Sequence, residues 1–409
     1  MIMRKNAAVT ICSVNYLTKA IVLFESYRQY HPEQQFYIVL VDRKVDGFSI
    51  DRPGLALIWA EDLPIDNFLQ YAFAFDIIEL NTNVKPTVLK LLLAKHDSVL
   101  YLDPDILILS RLDMVFDALE NASIVVTPHC NTPILDGKKP DDLEFMRFGA
   151  FNLGFVGVSR SAEGSDFLDW WSVRCLEYGF YEPQLGLAVD QKWVNLAPSY
   201  FPKLAVLHDV GLNIAFWNLH ERRLSVIDGK GMVNGNVPLK FIHFSSFNAA
   251  TPDVIAQKQS RFGAGSRPDF EAFAREYAKQ LQAVDSSQFA NIKYGFDYFD
   301  DGAYVAPALR RFYAPFRKSI FADVKNPFEP EGRVKSFARK NGLIPRANSE
   351  AKRQNFHDMS AYKSQIFILL KIFRFALFIL GPNRYFALMK YLAHISSLRN
   401  QVEMFGEIE

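Results

Sequence analysis

Residues Val99 to Leu109 read Val-Leu-Tyr-Leu-Asp-Pro-Asp-Ile-Leu-Ile-Leu, an apolar strand interrupted by two carboxylates. No other stretch constrains the chain as tightly. Residues two apart on an extended backbone point to the same side, so Asp103 and Asp105 can converge on one object. Pro104 supplies no backbone N–H, which ends the ladder and puts the pair at a strand terminus. Two like charges held close between apolar runs repel and are poorly solvated. A divalent cation that prefers oxygen removes the conflict, and a second anion such as a diphosphate completes its shell. The plain alternative is a solvated Asp-Pro-Asp turn between two strands.

The surrounding pattern is α/β. Val9 to Val14 reads as a strand, Lys19 to Tyr30 as a helix broken by His31-Pro32, and Phe36 to Val41 as a second strand. This alternation opens a parallel sheet, whose ligands lie at the carboxyl ends of the strands. Asn15, Tyr16 and Asp42 occupy such ends. Further strands are expected at Leu55–Ala60, Ile124–Thr127, Phe151–Val158 and Lys240–Phe244. Helices are expected at Lys85–Lys95, Asp166–Tyr178 and Pro268–Leu281. Lys325 to Ser349, with Pro327, Pro330 and Pro345, reads as a connecting segment.

Bulk properties exclude several classes. With 409 residues, 49% hydrophobic and 14% aromatic, the chain can bury one large core or two smaller ones. A formal net charge of +1 gives no global field for nucleic acid. Cys12, Cys130 and Cys175 are scattered and lack metal-site spacing, which argues against a disulfide framework or a zinc site and fits a reducing cytosol. Met1 to Thr10 has no apolar signal-peptide core.

The ordered set Asn15-Tyr16, Lys85-Pro86, Tyr101-Leu-Asp-Pro-Asp105, Phe151-Asn-Leu-Gly154, Asp190-Gln191 and His243-Phe244 resembles the metal-dependent GT-A glycosyltransferases, especially glycosyltransferase family 8 and related bacterial enzymes. The similarity runs over about residues 7 to 262. The resemblance implies a Rossmann-like mixed sheet flanked by helices, and Mn2+ or Mg2+ on the diphosphate of a nucleotide sugar. It puts Asp103, Asp105 and His243 on the metal and Asn15, Tyr16 and Asp42 at the nucleotide. Lys85 would then reach the donor, and Asn152 with Asp190 the sugar. A uridine nucleotide and retention of anomeric configuration are the family's expectation. One departure stands out: family 8 follows its late histidine with Gly-x-x-Lys-Pro-Trp, whose lysine touches the diphosphate. Here the chain runs His243-Phe-Ser-Ser-Phe-Asn248. Lys258 or Arg261, a little downstream, is the expected substitute.

Glycosyl transfer needs stabilisation of a departing diphosphate and of a cationic anomeric centre. Asp190-Gln191, a polar break after Gly186-Leu-Ala-Val189, is the candidate for the second role, and a helix N-terminus is the alternative. His243 reads as a third ligand or as a hydrogen-bonded strand-end histidine. His129 reads as substrate-side or as a turn residue, and Asn152 as a sugar contact or a backbone partner. Lys85 before Pro86 suits the first turn of a helix, where a cation and free N–H groups form an anion site. Trp217, His220 and Arg222 lie in a polar and aromatic stretch that suits sugar binding or core packing.

Between Ser360 and Asn400 the chain has six Lys or Arg and no acidic residue. Ile366 to Leu380, about 22 Å as a helix, is too short to span a hydrocarbon core of about 30 Å. Gly381-Pro382 should end it, and Tyr385 to Leu398 begins a second segment. Basic amphipathic helices of this kind suit the anionic inner face of the cytoplasmic membrane or packing on another surface.

The reading is therefore an α/β chain in three parts. Residues 1–262 form a nucleotide-sugar-binding catalytic domain, 263–345 an extension on the acceptor side, and 346–409 a basic helical tail. It is a cytoplasmic or peripheral-membrane hexosyltransferase acting on a glycan or lipid-linked acceptor in cell-surface polysaccharide or lipopolysaccharide synthesis. Rivals are an inverting transferase, a non-catalytic sugar-binding homologue, and a nucleotidyltransferase. The last expects a Gly-rich basic loop that Asn15-Tyr16-Leu-Thr18 does not offer.

Overall fold

The apolar runs of the first half assemble into one seven-stranded sheet, seen in a computed structural model that describes residues 5–287, 289, 291–345 and 362–405. Its strands are β1 (Asn6–Cys12), β2 (Gln35–Leu40), β3 (Leu55–Trp59), β4 (Ser98–Leu102), β6 (Ile124–Pro128), β7 (Phe151–Ser159) and β8 (Leu204–Val206). They lie in the order β8-β6-β7-β4-β1-β2-β3. Every pair is parallel except those of β7, which runs against both β4 and β6. All of Ser98–Leu102 is buried, as a strand covered on both faces requires. Helices Leu17–Tyr30 (α1), Lys85–Leu93 (α2) and Ala162–Tyr178 (α3) flank the sheet, and each expected strand and helix of this region is present within a few residues.

The chain leaves β1 through α1 to β2 on one side, while β4 pairs with β1 on the other. Strand order reverses there, which opens a crevice outside the carboxyl ends of β1 and β4. Because β7 is antiparallel, its first residues also arrive at that edge.

The Asp-Pro-Asp stretch differs from expectation in one respect. It is not a continuous strand with two carboxylates on one face. After Leu102 the backbone turns, with Ile106 N–H donating to Asp103 O at 3.1 Å. The following β5 (Ile106–Ile108) pairs antiparallel with β9 (Phe241–His243) in a separate two-stranded ladder. The carboxylates converge because proline stops the first ladder and the chain folds over, not because of the pleat.

Two units cluster in the chain: Met1–Asp66 with Ile77–Gly295, and Asn67–Asp76 with Phe296–Glu409. The first includes helix Pro268–Ala283 (α4), whose Phe270, Ala274, Tyr277 and Ala278 bury against Phe244, Phe247 and Ile255. The second is built on aromatic packing. Phe73 meets Phe299, Tyr313 and Phe328 edge-on with centroids 4.8 to 5.7 Å apart. Buried Arg310, on Pro307–Phe316 (α5), donates to the carbonyls of Ala72, Phe73 and Phe75 at 2.9 to 3.1 Å. It thereby satisfies the free end of helix Phe68–Ala74. The segment expected to be a connector contains a helix, Arg333–Lys340 (α6). There Val334, Phe337 and Ala338 recur at helical spacing and are buried.

The expected tail boundary at residue 346, with residues 346–361, lies outside the described residues. Lys363–Ile395 (α7) is helical on both sides of Gly381, whose φ of 70° and ψ of 167° break the helix where Gly-Pro was expected to end it. No residue of α7 is buried. Its apolar side chains are not confined to one stripe: Phe367, Ile368, Leu369 and Leu370, which together sweep most of the circumference, are all about half exposed. By length and composition α7 passes as a membrane-crossing helix, although Gly381 divides it into two shorter arms.

Candidate metal and donor site

Asp103 lies just beyond the end of β4, Asp105 two residues on in the turn, and His243 at the end of β9. The β5–β9 ladder sets His243 opposite Ile106, and Phe244 N–H donates to Asp105 O at 2.8 Å. His243 Nε2 lies 3.1 Å from Asp105 Oδ1 and 3.5 Å from Asp103 Oδ2. One ligand atom from each residue falls within 4.8 Å of the others. The two carboxylates remain partly accessible and the imidazole is buried.

The electrostatics suit a cation. Burial alone would lower the pKa of His243, but Asp105 and then Asp103 outweigh it and raise the value. Burial raises Asp105, and the imidazolium with Lys19 outweighs that and holds it down to about 2. Tyr101, two residues before Asp103 on the same face of β4, donates its hydroxyl to Asp103 Oδ1 at 2.6 Å.

A chain of hydrogen bonds behind the site fixes the tautomer of His243. The Ala150 carbonyl only accepts, so His129 Nδ1, 3.2 Å away, carries the proton. Burial lowers the His129 pKa to about 4, so its Nε2 is a lone pair facing Asn152 Nδ2 at 3.4 Å. Asn152 Oδ1 then faces His243 Nδ1 at 3.2 Å and accepts from Asn213 Nδ2 at 3.0 Å. His243 Nδ1 is thereby the N–H side, and Nε2 is the atom free to hold a metal. Trp217 packs edge-on against both imidazoles, at 5.2 and 5.3 Å. Asn152 and His129 are thus tied to the metal ligands through this network.

Gly154 leaves the space these groups share. A Cβ there would overlap His243 Cε1, Asp103 Oδ2 and Asn152 Oδ1. The fit to a small oxygen-preferring cation is good: two carboxylates, one imidazole and a gap no side chain fills.

One cleft is lined by Lys85, Asp103, Asn152, Asp190, Gln191 and His243. Lys85 is buried in the first turn of α2, with Nζ 2.6 Å from Asp190 Oδ2 and 2.7 Å from Leu153 O, and 4.1 Å above the Tyr101 ring. Burial raises the Asp190 pKa against the pull of Lys85. Trp171 holds the Asp190 carbonyl at 2.9 Å, and Val189 before it adopts φ 45°, a strained value for a β-branched residue. Gln191 bridges backbone, accepting from Leu153 N–H and donating to Phe148 O, both at 3.0 Å.

The other expected residues are not among those lining this cleft. Asp42 accepts from Val14 N–H at 3.3 Å and Gly295 N–H at 2.7 Å, supporting the turn that presents exposed Asn15 and Tyr16. Arg261 is held by Asp136 and by the carbonyls of Lys138 and Pro140. Arg222 is buried and donates to Leu212 O, while His220 Nε2 lies 3.3 Å from Thr132 Oγ1. Sequence reasoning missed Lys19, whose Nζ lies 3.9 Å from Asp105 Oδ2. Its position two residues into the first helix after β1 was the available signal.

The fold and the site define an α/β protein with an Asp-Asp-His cluster that could hold a metal ion at the reversal point of a mixed sheet. No family model matches the chain. It is 25% identical to the uncharacterized proteins YfnF and YfnD of Bacillus subtilis (strain 168), covering 62% and 59% of this chain, 85% of YfnF and 78% of YfnD. Similar solved structures are glycosyltransferases. The galactosyltransferase LgtC, in complex with donor and acceptor sugar analogs, has 14% identity and a TM-score of 0.42, covering 69% of this chain and 98% of that one. The glycosyltransferase GlyE of Streptococcus pneumoniae TIGR4 has 16% identity and a TM-score of 0.42, covering 71% and 63%.

Proposed function

We propose that this chain is a metal-dependent GT-A glycosyltransferase that moves a hexose from a nucleotide sugar, a UDP-hexose, to a glycan or lipid-linked acceptor with retention of configuration. The observation that carries this reading is the convergence of Asp103, Asp105 and His243 beside a cleft lined by Lys85, Asn152, Asp190 and Gln191. A bound Mn2+ or Mg2+ would supply Lewis-acid stabilisation of the departing diphosphate. The protein's part is to hold two carboxylate oxygens and a correctly protonated imidazole ready, so little reorganisation is needed when charge develops. Lys85 pairs with buried Asp190, placing a carboxylate and its counter-charge at the cleft where a cationic sugar ring would need stabilising. Gln191 fixes the backbone of Phe148 and Leu153 on either side of the cleft.

The test is Mn2+-dependent hydrolysis of a panel of sugar nucleotides, followed by NMR of the product anomer on acceptor. Turnover of one donor, lost in Asp105→Asn with the fold intact, is expected. Equal turnover with and without metal, or in Asp105→Asn, overturns the reading. An inverted anomer overturns retention alone.

We also infer that α7 seats on the anionic inner face of the cytoplasmic membrane, where the acceptor would be lipid-linked in surface polysaccharide or lipopolysaccharide synthesis. Two features support this: apolar side chains exposed around α7, and a cationic segment without acidic residues between Ser360 and Asn400. Truncation after residue 350 should release the protein from anionic vesicles while sparing donor hydrolysis. Vesicle binding that survives truncation removes the tail from the role.

A further inference from the structure

The resemblance expects a lysine after the late histidine, and residues 244–248 carry none. Phe244 stacks on Tyr277 at 4.2 Å with ring planes 6° apart, and Phe247 is buried in the same cluster. The segment's two aromatic side chains are directed into a core, and Ser245, which lines the cleft, is uncharged. Arg261 is committed to Asp136, and Lys85 to Asp190. A diphosphate beside Asp103 and Asp105 still brings more negative charge than one divalent ion neutralises.

We propose that Lys19 is the diphosphate-binding cation of this protein, an inference that rests on the nucleotide-sugar reading above. Lys19 stands in the first turn of α1, and its Nζ lies 3.9 Å from Asp105 Oδ2 and 4.6 Å from the centre of the Tyr16 ring. Among the described residues it is the one Lys or Arg within 4.0 Å of either aspartate. Its side chain is about one-fifth exposed, so it is shielded from bulk solvent yet reachable. The position also lies at the positive end of the helix dipole. In the metal-free protein Lys19 is a counter-ion to Asp105. When a cation takes that carboxylate, the ammonium is left with three donors beside the metal and the half-exposed Tyr16 ring. That is the environment a diphosphate next to a nucleoside needs. The charge has moved from the segment after β9 to the segment after β1, on the same rim.

Calorimetric titration of the full chain with three probes tests the assignment: Mn2+ alone, uridine with saturating Mn2+, and UDP with saturating Mn2+. Lys19→Ala should weaken UDP by about tenfold or more. It should leave uridine unchanged, and leave Mn2+ alone unchanged or tighter, since a competing charge has gone. Lys19→Arg should recover most of the UDP affinity, and Lys19→Gln, which keeps an unbranched polar side chain but removes the charge, should repeat the loss. Wild-type UDP affinity in Lys19→Ala and Lys19→Gln overturns the assignment and leaves the glycosyltransferase reading standing. So does a parallel loss of Mn2+ affinity, which marks a structural ion pair. If the wild-type chain with Mn2+ binds none of UDP, GDP, CDP, ADP and dTDP, the glycosyltransferase reading itself fails and takes this assignment with it.

Discussion

Asn152 Oδ1 sits 3.2 Å from His243 Nδ1, and this contact decides which nitrogen of the imidazole is offered to the aspartates. The amide is not free to choose its orientation. His129 holds its nitrogen end and Asn213 shares its oxygen end. The second residue of an antiparallel strand thus orients an imidazole 91 residues later.

Asn152→Ala should therefore weaken Mn2+ binding by roughly 10- to 100-fold while leaving all three ligands in place. Electron paramagnetic resonance of free Mn2+ reads this directly. Unchanged Mn2+ affinity would show that His243 is oriented by packing against Trp217 alone.

Gly154→Ala places a methyl group against His243, Asp103 and Asn152 at once. Mn2+ affinity should fall by more than tenfold, as expected when a ligand set is forced open. The secondary structure seen by circular dichroism should stay the same. Retained binding in this variant would place the metal outside the gap over Gly154.

Mn2+ binding should depend on pH through His243. Its folded pKa is raised above 6.5, so at lower pH the metal must displace a proton. Affinity is expected to rise by up to tenfold per pH unit until that raised pKa is passed, then level off. Asp105, held down to about 2, stays ionised throughout and adds no slope. A flat profile from pH 5 to 8, about the range of histidine titration, would remove His243 from the ligand set.

His129 makes the opposite prediction for stability. Its folded pKa is depressed to about 4 from 6.5, so the unfolded chain takes up a proton first. The contribution is fully present above pH 6.5 and is lost as pH falls toward 4, by about 3 kcal/mol in all. Urea unfolding between those limits should show the slope in wild type and lack it in His129→Gln.

Lys85→Met leaves Asp190 buried without its partner. The loss should be about 3 to 5 kcal/mol in thermal or urea unfolding. Lys85→Met combined with Asp190→Leu should recover much of it, because an apolar pair of similar volume needs no compensation. A double variant as unstable as the single one would show that Lys85 stabilises mainly through Leu153 O.

The sheet and the placing of Asp103 and Asp105 at a strand end were legible because their signals are local. Apolar runs announced β1, β4 and β7, and proline marked where Asp103 and Asp105 leave the ladder. What the chain does with side chains far apart in sequence was not legible. Asn152 and Gln191 do line the cleft, but the protein partners that occupy their amides were not foreseen. Their partners come from Phe148, Leu153, Asn213 and His243, which no periodicity connects. Lys19 was overlooked because a lysine in an amphipathic helix reads as solvent-facing until the fold brings Asp105 over it. Arg333–Lys340 was hidden by its prolines on either side, although Val334, Phe337 and Ala338 already carried helical spacing.

The reversed direction of β7 has a further consequence. The segment between Pro128 and Phe151 departs from the cleft edge and returns to it, since one strand ends and the next begins on the same rim. Insertions or deletions in that excursion, from which Phe148 lines the cleft, would change the cleft border without altering a single rung of the sheet. Under the proposed transferase function, that is where selectivity for an acceptor would be rewritten while the machinery beneath is kept.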